Sequence, residues 1–178
     1  MNVYNKIVPD EFDVPLLVYG NGFILQPLSP KYANIDYEAV MESRPILKDI
    51  FSDDWPDDIK SWEDNLRYIE EDYSDFQQRI GFSYIILDPS ESRCLGCVYI
   101  FPSLFEGYDV AIYYWLHINI LNSALAYEIE TFIRKWVQEH WCIPHPAYPG
   151  RDIPWPEWLQ RERKTFAGTI ANSTDVSK

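Results

Sequence analysis

The chain has 178 residues, 47% of them apolar and 16% aromatic, and carries 15 basic against 28 acidic side chains for a net charge of −13. That is one domain with enough apolar surface for a real core, and its negative charge disfavours nucleic acid and anionic membranes, which bind through phosphate. No run of about 18 apolar residues exists to span a bilayer, acids by Asp10 argue against a secretory signal, and three cysteines, an odd number, point to the reducing cytoplasm rather than to a disulfide framework.

The first 20 residues show no clear period, but VPLLVYG running into Gly20-Asn21-Gly22 predicts a short strand and a tight turn. Phe23 to Leu28 alternates as a second short strand closed by proline. Ser29-Pro30 is a helix-start pair, with serine as cap and proline at the first helical position. The helix should reach about Glu42, because Pro45 bars its extension. From Asp49 to Asp75 eleven acids face only Lys60 and Arg67, so this segment alone carries −9. Within it Trp62, Leu66, Ile69, Tyr73, Phe76 and Ile80 are spaced 4, 3, 4, 3, 4, one apolar helical stripe. Ser61 with Asp64 makes a capping-box-like start. Glu70, Glu71, Asp72 and Asp75 lie off the stripe, facing water or a ligand.

Gly81 should end that helix. Strands are then expected at Phe82–Leu87, Cys94–Phe101 and Asp109–His117, the first two joined by a turn over Asp88-Pro89-Ser90-Glu91. In the last strand Val110, Ile112, Tyr114 and Leu116 share one face, and Ala111, Tyr113, Trp115 and His117 the other. Both faces are apolar, which places this strand centrally, with helices above and below. A helix from about Ala124 to His140 buries Leu125, Ile129, Phe132, Ile133, Trp136 and Val137. Beyond Trp141 come five prolines and two tryptophans in 17 residues without a period. The reading is a single domain over 1–164 with a disordered tail over 165–178.

A strand, two helices, a three-stranded meander and a helix, over roughly residues 22–141, resembles the GNAT acyltransferase superfamily. LGCVYI, with Gly96 early, looks like that family's third strand, and DVAIYYWL like its fourth. The resemblance implies an α/β (α+β) fold: a mixed, mostly antiparallel sheet with helices on both faces. It implies acetyl-CoA or another acyl-CoA as cosubstrate, an amine of a small molecule or peptide as acceptor, and no metal. The family's Arg/Gln-x-x-Gly-x-Gly/Ala loop holds the cofactor's pyrophosphate on backbone N–H groups and a helix N-terminus. Here Asn119, Asn122 and Ala124 stand at the matching positions, in a loop that has lost its glycines. Ala124 keeps the small residue, Asn122 tolerates positive φ, and Asn119 replaces the long polar side chain, with no lysine or arginine near it in the chain. The cofactor-binding residues implied are Tyr114, Trp115, Leu116, His117, Asn119, Asn122, Ser123 and Ala124. The resemblance also implies base candidates at Asp109, Glu106 and His117, and Tyr148 as the general acid. The family's fifth strand and fourth helix give way to the proline-rich segment, where Pro144 and Pro146 confine any strand to an edge.

Other residues have plainer readings. Cys94 and Cys97 form C-x-x-C, but an odd offset on a strand puts them on opposite faces, as two buried small residues rather than ligands. His140, Cys142 and His145 lack an acidic or thiol partner to complete a metal site. His117 is also read as a structural histidine at a strand end. The acidic stretch is either a solvated face or an attractor for a cationic amine. Trp155 and Trp158 are a clamp closing the sheet or a homodimer contact. Two functions follow: an acyl-CoA-dependent N-acyltransferase, or a non-catalytic binding or oligomerisation module on the same scaffold.

Overall fold

The computed structural model describes residues 6–162 apart from 49, 52, 53, 104 and 142. The expected tail over 165–178, the acids Asp49 and Asp53, and Cys142 lie outside the described residues. The chain forms one six-stranded sheet in sequential order, built from β1 (Val18–Gly20), β2 (Phe23–Pro27), β3 (Phe82–Leu87), β4 (Cys94–Pro102), β5 (Val110–Leu116) and β6 (Pro146–Ala147). Neighbours pair antiparallel except β5 and β6, which run parallel. The helices are α1 (Ala33–Leu47), α2 (Trp62–Gln78), α3 (Ala124–His140) and α4 over residues 155–162.

The first hairpin pairs Gly20 with Phe23 across Asn21-Gly22, and Gly22 takes φ 86° as such a turn demands. Ser29 opens a 3-10 turn over Pro30–Tyr32 that feeds α1. Contrary to the expected stop near Glu42, α1 runs to Leu47 with Pro45 inside its last turn. A proline so close to the C-terminus forfeits one helical hydrogen bond, and full burial of Leu47 outweighs that loss. At the start of α2 the capping box forms: Asp64 N–H donates to Ser61 Oγ at 3.2 Å, and Ser61 N–H to Asp64 Oδ2 at 3.0 Å. The helix ends one turn before Gly81, because Arg79 adopts the left-handed conformation at φ 64°.

β5 is the penultimate strand rather than a central one, yet all seven of its residues are buried, with the core covering both faces. Its two faces divide the core as the alternation requires. Val110, Ile112, Tyr114 and Leu116 pack with Ile129, Ile133, Trp136 and Val137 of α3. Ala111, Tyr113 and Trp115 pack with α1 and with Ile69 of α2. Trp158 of α4 joins this second cluster, 1% exposed, its Nε1 donating to Tyr113 Oη at 3.0 Å, while Trp155 stacks on Tyr113. Both tryptophans therefore act within the chain as a clamp. The proline-rich segment does not replace the last strand and helix outright. It keeps a two-residue edge strand, β6, followed by α4.

The strand β4 breaks its own period. Ile86 pairs with Gly96 but Leu87 with Cys94, so Leu95 is an extra residue, a β-bulge. Gly96 sits at φ +148°, and a Cβ there would come within 2.1 Å of the Trp115 carbonyl. The bulge shifts the alternation by one. Cys94 and Cys97 then lie on the same face, both in the α1–α2 core, where a regular strand would separate them. The expectation of opposite faces is thus corrected.

Candidate active site

β5 and β6 share only two register pairs, Val110 with Pro146 and Ala111 with Ala147. Past them the strands part. The chain turns at Tyr148, whose carbonyl accepts N–H bonds from Arg151 and Asp152, each at 3.1 Å. The β5 edge from Ile112 to Leu116 is therefore left without a ladder to β6. Such a cleft offers backbone donors and acceptors to an extended ligand, and Tyr114, Trp115 and Leu116 lie along it.

At the far end of β5 the chain enters the loop before α3. Asn122 adopts φ 61°, which asparagine tolerates at the position where glycine is usual. Ser123 caps α3, its Oγ accepting from Ala126 N–H at 3.1 Å. Ala124 and Leu125 open the helix, and N–H groups in the first turn have no intrahelical acceptor. With the helix dipole they form an anion-receptive end beside the β5 edge. Asn119 lines a cavity that also contains Arg93, from the β3–β4 turn, and Glu38 and Glu42 of α1. A cation distant in sequence therefore stands near Asn119.

The proposed catalytic residues do not meet at one point. His117 and Asp109 flank β5 eight residues apart, about 26 Å along a strand. His117 Nδ1 accepts from Asn119 N–H at 3.2 Å and its Nε2 lies 3.1 Å from Glu42, so the ring fixes the loop to α1. Asp109 Oδ2 accepts the His145 N–H at 3.0 Å and faces its Nδ1 at 3.1 Å, tying β6 to the start of β5. Tyr148 lies at the mouth of the cleft, on the α3 side of the sheet. Burial raises its hydroxyl to about 12, so it stays protonated and able to donate. Arg134 lies 4.5 Å above its ring and holds Asp152 through two bonds of 2.9 and 2.7 Å. Arg151 covers the Tyr114 ring at 4.4 Å.

On the opposite face lies a cavity of about 180 Å³, lined by Leu28, Phe51, Trp55, Tyr68, Asp72 and Tyr99 among others. Asp72 enters it from α2. Burial is the main cause that raises its carboxyl to about 7, opposed by the nearby Ser83 hydroxyl and reinforced by Asp75, Asp36 and Glu71. The hydroxyl of Ser83, a residue 1% exposed, has no hydrogen-bond partner among the described residues. The apolar stripe of α2 set Asp72 with Glu70, Glu71 and Asp75 as facing water or a ligand; the structure turns Asp72 inward, to line this cavity beside the buried Asn65 and Ile69. Phe51, which lines this cavity, lies 5.4 Å from the Tyr113 ring of β5.

No protein-family model matches the chain, and no curated protein does. Solved structures do. The ribosomal alpha-N-protein acetyltransferase RimL in complex with coenzyme A is 14% identical with a TM-score of 0.55, over 68% of this chain and 67% of its own. The microcin self-immunity acetyltransferase MccE, in complex with acetyl-CoA and AMP, is 21% identical at 0.54, over 68% of this chain and 63% of its own. A GNAT-family acetyltransferase from Bacillus anthracis is 12% identical at 0.50, over 69% and 67%. The chain thus has the GNAT fold and spans about two thirds of the length of these proteins.

Proposed function

We propose that the chain is an acyl-CoA-dependent N-acyltransferase with an amine acceptor. The observation that carries this reading is the parting of β5 from β6 beside a loop that keeps its turn at Asn122 and its small residue at Ala124. The acyl-CoA pyrophosphate would rest on the N-terminal amides of α3, and its pantetheine arm would follow the free β5 edge. The acceptor would enter from the other face, through the acidic aromatic cavity, whose carboxylate and rings suit a cationic amine. Asp72 would accept the ammonium proton, since a base poised near 7 is half available at neutral pH. The neutral nitrogen attacks the thioester carbon, the C–S bond breaks, Tyr148 protonates the departing thiolate on the α3 side, and the proton lost from the newly acylated nitrogen passes through solvent to restore the Tyr148 hydroxyl. In this reading Asp109 and His117 position β6 and the loop rather than move protons.

The test is thermal stability with and without acetyl-CoA or free coenzyme A. A ligand at 100 times its dissociation constant should add about 2.7 kcal/mol. No shift at millimolar ligand would leave the alternative, a non-catalytic binding module. Ala124→Glu, placing bulk and negative charge at the phosphate position, should abolish the shift. The same reading puts the protein in the cytoplasm. It also allows a homodimer through the exposed Leu16, Leu17 and Tyr19 at the β1 edge, which sedimentation equilibrium reads directly.

A further inference from the structure

The bulge in β4 has a chemical result. Cys94 and Cys97, brought to one face, meet Asp36 of α1, and the three donor atoms all lie within 4.8 Å of one another. Cys97 Sγ is 3.4 Å from Asp36 Oδ1, and Asn65 Nδ2 donates to Asp36 Oδ2 at 2.9 Å. All three residues are at least 95% buried. A carboxylate so enclosed is costly unless it takes up a proton or a positive charge compensates it. Its hydrogen-bond partners among the described residues are an amide and a thiol, not a cation.

We propose that Asp36, Cys94 and Cys97 form a three-ligand site for a thiophilic divalent cation, of which Zn²⁺ suits two thiolates and a carboxylate best. With Zn–S near 2.3 Å and Zn–O near 2.1 Å, tetrahedral ligation sets the S···O separation at about 3.6 Å. The 3.4 Å between Cys97 and Asp36 is already close to that value. Asn65 is the partner that fixes the carboxylate, as metal ligands usually require. The fourth position belongs to a water, which reaches Asp36 through the aromatic cavity it lines. On binding, each thiol gives up its proton to solvent and forms an S–Zn bond, with no change of oxidation state. The ion would pin α1 to β4 beneath the cavity, and the site stands whether or not the chain transfers acyl groups.

The experiment uses the full chain, purified without chelator, with its metal content measured by mass spectrometry. The chelator-stripped protein is then titrated with Co²⁺ and Zn²⁺. The expected result is close to one Zn²⁺ per chain, and a thiolate-to-cobalt charge-transfer band on adding Co²⁺ that Zn²⁺ then displaces. Asn65→Ala, which leaves all three ligands in place, should weaken Zn²⁺ by roughly 10–100-fold. The Cys94→Ser/Cys97→Ser double variant should lose the band. A wild-type chain that shows no thiolate-to-cobalt band overturns the proposal without any variant having to fold. So does a double variant that keeps the band.

Discussion

At the scale of single residues, Asp72 makes the sharpest forecast because its folded pKa of about 7 lies above its ordinary value of 3.8. Between those values the folded chain holds a proton that the unfolded chain has lost, so stability falls as pH rises from about 4 to 7 and then levels. Asp72→Asn removes that loss. Unfolding by denaturant at pH 8 should show the variant more stable than the parent by about 2 kcal/mol, with the gap closing near pH 4. The same change should cost about 10²–10⁴ in acyl transfer and remove the rise of rate with pH through neutrality. A variant that keeps the wild-type pH–rate profile would remove Asp72 from the role of base. Gly96 is the other decisive residue. Gly96→Ala must push a methyl group into the Trp115 carbonyl and the neighbouring strand. A loss of roughly 2–4 kcal/mol by chemical denaturation is expected, far beyond an ordinary glycine-to-alanine exchange.

At the scale of elements, α2 rests on its cap. Ser61→Ala deletes the oxygen that holds the Asp64 amide and should cost about 1 kcal/mol, read as a lower denaturation midpoint. This helix, the meander and α3 were legible in the sequence because each states its period over many residues. The spacing of Ile69 and Phe76, the two-faced alternation of β5 and the span of α3 all reappear in the structure. What was not legible depends on contacts with distant chain. The end of α1 past Pro45 is decided by the burial of Leu47, and no local rule weighs that. The shared face of Cys94 and Cys97 depends on one inserted residue, which a period-2 rule cannot register. The loop at Asn122 was readable, since asparagine signals positive φ on its own. The cavity around Asp72 was not, because its walls come from α1, α2, β4 and the segment between the first two helices.

At the scale of the whole molecule, two apolar clusters on opposite faces hold β2 to β5 as the firm body, while the chain beyond α3 is attached differently. Residues 146–162 are held to the sheet by two backbone pairs, the Trp158 indole, the Trp155 stack, Arg151 over the Tyr114 ring and core packing of Tyr148 and Ile153, and to α3 by the Arg134–Asp152 pair. Trp158→Ala removes packing worth about 3–5 kcal/mol. In hydrogen exchange its amides over 146–162 should lose protection while those of β3, β4 and β5 keep theirs; uniform loss would show that the segment unfolds only with the rest. The brevity of the β5–β6 ladder therefore sets a cooperativity boundary. The C-terminal piece can open as its own foldon, and any ligand seated in the cleft bridges both sides of that boundary. Its binding energy would be spent partly on holding the two units together, so occupancy should appear first as slowed exchange in residues 146–162.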